Sequence, residues 1–591
     1  MNVPKLLGKI NNYPQKSFFL VFLGLVLYQL VLIFQSFELC DTGYYATCYQ
    51  NILRNPSSVV FNFGYWFTGI VGGVFVELFP ESGLLGIRFL GVLNTSATIY
   101  IVYKLLNGYL NNIALYLGLI LVTTSFVITP TEFYHNPFSS FLFVYASYLL
   151  FQGINKNKLI LIVFCAILLA LNAFARLPNI LDIALILIFP IHAFYYKESK
   201  IIWIKRSLVL LFSFLISIIS ILGIMKIIGH YDLFIENILE LKSEAGGSGS
   251  YNLFTLINRN INAYIHVFST GLLITVFLLI LSYISQMLNN FKIKNFLLVF
   301  ILLIALYFMI RFISRIELLY YFSLISLFWN IYSKENEIKI LSWIGLFMLI
   351  LMPIGSDDSI YMLGYYSIWI AVPLVVNLFI TEKFGVAIKI ESLVPKNNYH
   401  FKLDNHSIKL VLVMFLVVFI GKNIVDVSHT SHFESRSRIH RTFSINNPRT
   451  KYIYTTNERA KIVNDLLDGI KPYIKEGDEI ITYESIPMIF YLTKTKPYLG
   501  SPWLIAMSGS SLSNKIERVK KIKKTLPLVI RQKFPTIGGF GIPSDQFLSS
   551  TKNGNLYFSQ EQIRVFNNFL IENKYKIIWQ NTYFNLYAPQ N

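Results

Sequence analysis

Residues 36–62 read SFELCDTGYYATCYQNILRNPSSVVFN and follow directly on the first long apolar run of the chain. The stretch holds two carboxylates, Glu38 and Asp41, close to Tyr44 and Tyr45. A carboxylate where a membrane helix meets water is costly, and such residues usually have a function. The stretch therefore predicts a polar site at the end of the first span, with Asp41 as its candidate base. The alternative is a simple loop carboxylate or helix cap.

The composition is that of a membrane protein. The 591 residues are 54% hydrophobic and only 14% charged, with a mean hydropathy of +0.54, whereas soluble domains are about 45–50% apolar and about 25% charged. The formal charge is +19, and residues 424–591 carry 23 Lys and Arg against 13 Asp and Glu, a net of +10. This excess favours an anionic membrane surface or an anionic substrate over nucleic acid.

Apolar runs recur up to Ile420 and predict an α-helical polytopic protein with about 13 transmembrane helices. The predicted spans are Phe18–Phe34, Leu84–Tyr103, Ile113–Thr129, Pro137–Phe151, Leu159–Ala175, Ile180–Tyr196, Ser207–Ile228, Ile265–Leu288, Phe296–Ile310, Leu318–Tyr332, Ile340–Pro353, Ile360–Phe379 and Leu410–Ile420. Lysines such as Lys104 and Lys156 then fall on one side, which the positive-inside rule assigns to the cytoplasm together with the N-terminus. The glycine-interrupted segment Phe63–Phe79 is predicted to lie along the outer surface, because another span would break this alternation.

After Thr450 the pattern becomes that of a soluble α/β domain. Residues 478–485 read as a strand, and Glu458–Ile474 reads as an amphipathic helix. The predicted organisation is a transmembrane domain over residues 1–423, a polar linker over 424–449 and an extracytoplasmic α/β domain over 450–591. An odd number of spans places that domain outside the cytoplasmic (inner) membrane, in a recognition or supporting role.

The predicted outer loops contain nearly every unusual polar residue of the membrane part. Glu132 is a second catalytic candidate beside Asp41, and the other residues are candidates for substrate binding. Those substrate-binding candidates are Arg88, His135, Asn136, Arg176, Arg311, Arg315, Asp357 and Asp358. No second histidine stands at helical spacing from His135, so neither a metal site nor a cofactor is predicted.

The order of features in residues 15–200 resembles the GT-C membrane glycosyltransferases, nearest to the branch of protein O-mannosyltransferases and the lipid A aminoarabinose transferase. An Asp-x-Gly-Tyr-Tyr sequence at Asp41 follows the first span, and an aromatic segment comes next. The sequence ELFPESGLLGIRFLGVL then enters a span through Arg88, and Glu132 stands between the third and fourth spans. The family's Asp-Glu pair is Asp41-Thr42 here, and its proline pair is absent around residues 62–65.

The resemblance implies a hexosyl- or pentosyltransferase that uses a polyprenyl-phosphate sugar on the outer face of the membrane. The partners it implies are this donor, membrane lipids and a glycan, lipid or protein acceptor. Such transfer needs a base for the acceptor proton and cations for the departing phosphate. Asp41 is the candidate base, and the guanidinium fork of Arg176 suits a phosphate.

Other interpretations stay open at the level of sequence. An O-antigen or capsule-type polymerase or ligase would also use polyprenyl-linked sugars and outer-loop arginines. A transporter of lipid-linked glycans would show internal repeats and charges along a path through the membrane, and neither is visible. Arg88 would pair structurally with Glu77 or Glu81, and Asp357 and Asp358 would cap the next helix, if these residues have no function.

Overall fold

The computed structural model describes residues 14–126, 132–246, 253–290, 295–381, 386–390, 399–434, 436–534, 540–543 and 560–590. Three described 3-10 helices lie in the membrane part: Pro56–Tyr65, Pro80–Ser82 and Leu177–Leu187. The α-helices of that part are α1 (Pro14–Leu32), α2 (Asp41–Asn51), α3 (Trp66–Leu78), α4 (Gly83–Leu106), α5 (Asn112–Thr124), α6 (His135–Asn155), α7 (Leu159–Ala175), α8 (Ile188–Tyr196), α9 (Lys200–Ile227), α10 (Tyr231–Gly246), α11 (Leu253–Asn290), α12 (Asn295–Arg311), α13 (Arg315–Ile331), α14 (Asn336–Leu351), α15 (Ile360–Ser367), α16 (Ala371–Thr381) and α17 (Asn405–His429).

Every predicted span overlaps a helix, and residues 127–129 of the span Ile113–Thr129 lie outside the described residues. The predicted number of about 13 spans is not confirmed. Within the described ranges, eight helices are long and apolar enough to cross a membrane, or up to ten if each bent pair counts as one. The difference arises because α5, α7 and α14 have only 13, 17 and 16 residues, and because α12 and α13, predicted as two spans, form one pair bent by 106°. The pair α15–α16, predicted as one span, is bent by 67°. The chain is therefore a multi-pass membrane protein with broken helices.

The segment predicted to lie on the outer surface is helical. The 3-10 helix Pro56–Tyr65 runs into α3, and the two together are also long and apolar enough for a span. The position of this segment along the outer surface stays a prediction. The predicted loop between residues 230 and 262 also contains a helix, α10, which packs against the 3-10 helix Pro56–Tyr65.

The C-terminal part is an α/β domain, as predicted. Its elements are β3 (Phe443–Ser444), β4 (Tyr454–Thr455), α18 (Asn457–Ile470), β5 (Glu479–Tyr483), α19 (Met488–Thr493), β6 (Lys496–Pro497), α20 (Gly509–Ile522), β7 (Leu528–Gln532), α21 (Gln560–Glu572), β8 (Tyr575–Gln580) and β9 (Phe584–Pro589). A further antiparallel hairpin, β1 (Val386–Ile390) with β2 (Tyr399–Leu403), precedes α17. The main sheet has the order β6-β5-β7-β9-β8, in which β5, β6 and β7 are parallel and the closing hairpin β8–β9 is antiparallel.

The α/β domain sits directly on the first outer segment. Helix α19 packs on α2, where the Met488 N–H donates to the Leu39 carbonyl at 2.9 Å and the Thr47 hydroxyl donates to the Pro487 carbonyl at 3.1 Å. Gly43 allows this approach, because a Cβ there would lie 2.1 Å from the Met488 nitrogen. The boundary between domains is thus a packed interface that contains α2.

Candidate active site

Glu38 fixes the start of α2, the helix that begins with Asp41. Its buried carboxylate accepts the backbone N–H groups of Cys40 and Thr42, which lie where a helix has no partners of its own. A negative charge at this end is also favoured by the helix dipole. Because the Glu38 carboxylate accepts these backbone N–H groups, the Asp41 carboxylate is available for other contacts.

Asp41 contacts His432 from the opposite end of the membrane part. Asp41 Oδ2 lies 2.7 Å from His432 Nε2, and the two side chains are only 20% and 9% exposed. His432 follows α17 within the segment predicted to be a linker. The sequence analysis missed it because 391 positions separate the two residues, and the only signal was the richness of that segment in His, Ser and Arg.

A tight turn, Ser431–Glu434, holds His432 in place. Arg441 donates from Nη1 to Ser431 Oγ at 2.8 Å and from Nη2 to the Glu434 carbonyl at 2.9 Å. Ser431 Oγ in turn donates to Ser36 Oγ at 2.8 Å. The Glu434 carboxylate accepts the Thr455 hydroxyl at 2.7 Å. These contacts join the segment after α1, the turn and the α/β domain. This part of the predicted linker is therefore an ordered part of the site.

Aromatic rings surround the Asp41 carboxylate. Tyr65 stacks on His135 with centroids 3.8 Å apart, and Tyr45 lies 5.5 Å from the same ring and 5.1 Å from Tyr134. The charge of Asp41 contributes to raising the pKa of Tyr45, after burial. These rings form a partly dry wall of flat surfaces beside the carboxylate.

Two predicted substrate-binding residues present unsatisfied atoms in this wall. His135 Nδ1 and Asn136 Oδ1 are buried and have no hydrogen-bond partner. Because buried polar atoms are nearly always paired, these atoms are suited to a polar ligand. Both residues begin α6, and the stacking of His135 on Tyr65 fixes its ring orientation.

A second carboxylate pair faces the same region. Burial raises the pKa of Asp357 to about 6, with a further contribution from Asp358. Burial also raises the pKa of Asp358; Arg259 opposes this shift and the charge of Asp41 adds to it. Neither aspartate caps the following helix, whose N-cap is Ser359. Arg259 Nη1 donates to the Asp357 carbonyl at 2.9 Å and ties α11 to this loop.

Arg176 shapes the loop next to these aspartates. Its guanidinium is buried and donates to the carbonyls of Met352 at 2.9 Å and Ile354 at 2.7 Å. It also donates to Asn179 Oδ1 at 3.1 Å, and its charge acts on His135. Arg176 therefore belongs to the same region as Asp41, while its contact with a phosphate stays a prediction.

Arg88 and Glu132 form a buried ion pair. Arg88 Nε donates to Glu132 Oε1 at 2.8 Å, with side chains 2% and 3% exposed. The remaining Arg88 N–H groups donate to the carbonyls of Ile33, Gln35 and Ser36 at 2.8, 3.2 and 2.8 Å. The structural partner of Arg88 is thus Glu132, and not Glu77 or Glu81. Arg88 fixes the chain that leads from α1 to Asp41.

Cations gather at the C-terminal end of α17. Arg315 and Lys422 both pair with Asp426, and Arg438 Nε donates to the Val427 carbonyl at 2.5 Å. Arg315 Nε and Arg438 Nη1 are buried without a hydrogen-bond partner. Burial lowers the pKa of Arg438 to about 10, which leaves it charged at neutral pH. Three cations against one carboxylate make this cluster attractive to an anion.

The predicted site residues are thus only partly brought together. The charge of Asp41 acts on Asp358, His135 packs against Tyr45, and the charge of Arg176 acts on His135. Asn136 adjoins His135 in the chain. Arg311 lies exposed at the end of α12, over the ring of Phe312 at 6.0 Å. Across the part of the chain that the structure describes, no group of three or more His, Cys, Asp or Glu side chains has the arrangement of a metal site.

Replacing Glu38 with Gln is expected to change how stability depends on pH. Burial, with Asp41 second, raises the pKa of Glu38 from 4.5 to about 7. A raised carboxyl pKa contributes stability that is present below pH 4.5 and lost as the pH rises through about 7. The thermal midpoint of the wild type should therefore fall between pH 5 and 8, and that of Glu38→Gln should fall less. Glu81→Gln, at an exposed site, is the control, and equal slopes for all three proteins would contradict the burial argument.

No family model and no curated protein matches the chain. Among solved structures it is similar to ArnT from Cupriavidus metallidurans bound to undecaprenyl phosphate, with 8% identity, a TM-score of 0.48 and coverage of 98% of this chain and 100% of that one. It is also similar to the oligosaccharyltransferase of Archaeoglobus fulgidus in complex with Zn and sulfate, with 12% identity, a TM-score of 0.46 and coverage of 96% and 73%. A third match is AglB from the same organism with an inhibitory peptide and a dolichol-phosphate, at 12% identity, a TM-score of 0.43 and coverage of 96% and 74%.

These proteins belong to the GT-C superfamily of membrane glycosyltransferases, the class that the N-terminal sequence resembles. Identities of 8–12% and TM-scores below 0.5 define neither a substrate nor a site residue of this chain.

Proposed function

We propose that this protein is a membrane glycosyltransferase that moves a sugar from a polyprenyl-phosphate donor to an acceptor hydroxyl on the outer face of the cytoplasmic membrane. The observation that carries the proposal is the Asp41 carboxylate. It is 20% exposed, held by His432 at 2.7 Å, and lies where the outer ends of the helices meet the α/β domain. A carboxylate in this position is reachable both by a lipid in the membrane and by a soluble acceptor.

The chemistry follows from the two oxygens of Asp41. Oδ2 is occupied by His432, which orients the carboxylate, and Oδ1 takes the proton of the acceptor hydroxyl. The acceptor oxygen then forms a bond to the anomeric carbon of the sugar. The bond between that carbon and the phosphate oxygen breaks, and the polyprenyl phosphate leaves with the electron pair. The flat rings of Tyr45 and Tyr65 would position the sugar.

The leaving phosphate needs cations, and the cluster of Arg315 and Arg438 is the best placed to supply them. Both arginines carry a buried N–H that has no hydrogen-bond partner, and both act electrostatically on Tyr28 of α1. Tyr28 lines a small cavity of about 60 Å³ that Glu132 also lines. A lipid phosphate entering beside α1 would meet these guanidinium groups first.

The function is tested with purified protein and a set of polyprenyl-phosphate hexoses and pentoses. We expect release of polyprenyl phosphate that depends on a hydroxyl-bearing acceptor. The absence of release from every donor, with folded protein and a broad acceptor mixture, would exclude the proposed reaction. Release without an acceptor would identify a hydrolase instead.

Replacing Arg438 with Gln is expected to weaken binding of undecaprenyl phosphate by about 10- to 150-fold, since a hydrogen bond to a charged group contributes about 1.5–3 kcal/mol. The measurement is titration of the lipid phosphate into detergent-solubilised protein. Arg436→Gln is the matched control, because Arg436 is 65% exposed and pairs with Glu458 at 3.1 Å. Equal affinities of the two variants would place the phosphate elsewhere.

A further inference from the structure

A cleft of about 630 Å³ lies outside the Asp41 site, between α10 of the membrane part and α20 of the α/β domain. Its volume falls within the range of about 300–1,000 Å³ that small-molecule sites occupy. Its lining residues are Phe61, Tyr231, Asp232, Ile235, Glu236, Leu239, Glu240, Ser243, Met507, Ser511, Asn514, Lys515 and Arg518. The cleft thus has an apolar floor with two aromatic rings and polar walls from two helices.

The charges of the two walls neutralise one another. Lys515 pairs with Glu240 and, at 3.3 Å, with Glu236, and Arg518 contacts the same two carboxylates. Lys515 is only 6% exposed, so its charge is committed to this network. With Asp232 the walls carry three acids against two bases, a balance that disfavours an anionic ligand such as a lipid phosphate.

The groups left over are hydrogen-bond acceptors and small polar side chains. Glu240 Oε2 is buried and has no hydrogen-bond partner. The hydroxyls of Ser243 and Ser511 lie 3.5 Å apart across the cleft, and the Asn514 amide lines the same wall. Such a set suits a neutral ligand with many hydroxyl groups, which would donate to Glu240 and exchange hydrogen bonds with serine and asparagine.

The cleft is connected to the Asp41 site by one short element. Phe61 lines the cleft, and Tyr65, on the same 3-10 helix, stacks on His135. Four residues of 3-10 helix span about 8 Å. Phe61 at the cleft and Tyr65 in the aromatic wall near Asp41 are therefore close together on one helix.

We propose that this cleft binds the acceptor of the transfer reaction, and that the acceptor is a neutral glycan chain. That the ligand is the acceptor rests on the proposed function. That the ligand is a neutral glycan rests on the residues of the cleft alone. The aromatic faces of Phe61 and Tyr231 pack against sugar rings, and the paired walls set the distance between the two domains. The sugar at the end of the chain then presents its hydroxyl to Asp41.

The test uses the full-length protein and a panel of neutral linear oligomers of hexoses, 6-deoxyhexoses and N-acetylhexosamines. Replacing Asn514 with Trp fills the cleft, and we expect it to weaken binding about tenfold or more. Lys520→Trp places the same ring on the exposed side of α20 and should bind as the wild type does.

The outcomes separate the inference from the proposed function. If no oligomer binds, if Asn514→Trp and Lys520→Trp bind equally well, or if a neutral Ser/Ala peptide binds in place of the glycans, the cleft is not a glycan site, even where transfer depends on Asp41. If the glycans bind in the cleft but no sugar is transferred, the ligand class stands and the proposed function fails.

Discussion

Replacing Asp41 with Asn is expected to lower turnover by about 10²–10⁴-fold, the contribution that a positioned general base makes. The amide keeps the size of the side chain and a contact with His432, but it cannot take a proton from the acceptor hydroxyl. Affinity for the polyprenyl-phosphate donor should change little, because the cations proposed for the phosphate are Arg315 and Arg438. The measurement is acceptor-dependent release of polyprenyl phosphate at saturating donor.

The control for this variant is the thermal midpoint, which should match that of the wild type. His432→Gln gives a second comparison: it keeps a hydrogen-bond donor near Asp41 Oδ2 and should lose less turnover than Asp41→Asn. Full turnover of a folded Asp41→Asn protein would show that Asp41 is not the base. The next carboxylate to replace would then be Asp358, which shares its surroundings.

Replacing Arg88 with Met is expected to cost about 3–5 kcal/mol in the free energy of unfolding, because it leaves the Glu132 carboxylate buried without its cation. Three backbone carbonyls, those of Ile33, Gln35 and Ser36, also lose their donor. The segment from α1 to Asp41 would then lose its anchor, so turnover should fall as well. Unfolding in mixed micelles, followed by circular dichroism, measures the loss.

Arg54→Met provides the matched comparison. Arg54 pairs with Glu77, but its side chain is 72% exposed, and exposed ion pairs contribute about 0–1 kcal/mol. A loss for Arg88→Met no larger than that for Arg54→Met would contradict a structural role for the buried pair. It would also return Glu132 to the list of catalytic candidates.

The local elements were predictable from sequence because they depend on nearby residues. The length of the apolar runs predicted the membrane helices, and amphipathic periodicity predicted α18. The N-cap of α18 is Thr456, whose hydroxyl accepts the Arg459 N–H at 3.5 Å. The number of spans was not predictable, since hydropathy does not report the bend between α12 and α13.

The sequence could not predict contacts between residues that lie far apart in the chain, and this limited the prediction of the site. Asp41, His135 and Asp358 were all identified as outward-facing polar residues, and they share one region. His432 and Arg438 were not identified, because a polar segment after the last span reads as a linker until tertiary contacts are known. The partner of Arg88 was misassigned for the same reason: nearby acids in the chain were preferred over Glu132, 44 positions away.

The contact between Asp41 and His432 has a consequence for biosynthesis. Asp41 is synthesised within the first tenth of the chain, but His432, which contacts its carboxylate, follows 391 residues later. At about 5–20 residues per second, the ribosome needs on the order of 20–80 s to synthesise the chain between the two residues. A nascent or truncated chain therefore has the Asp41 carboxylate without its partner, and the proposed activity requires that α17 and the turn that follows it have been translated.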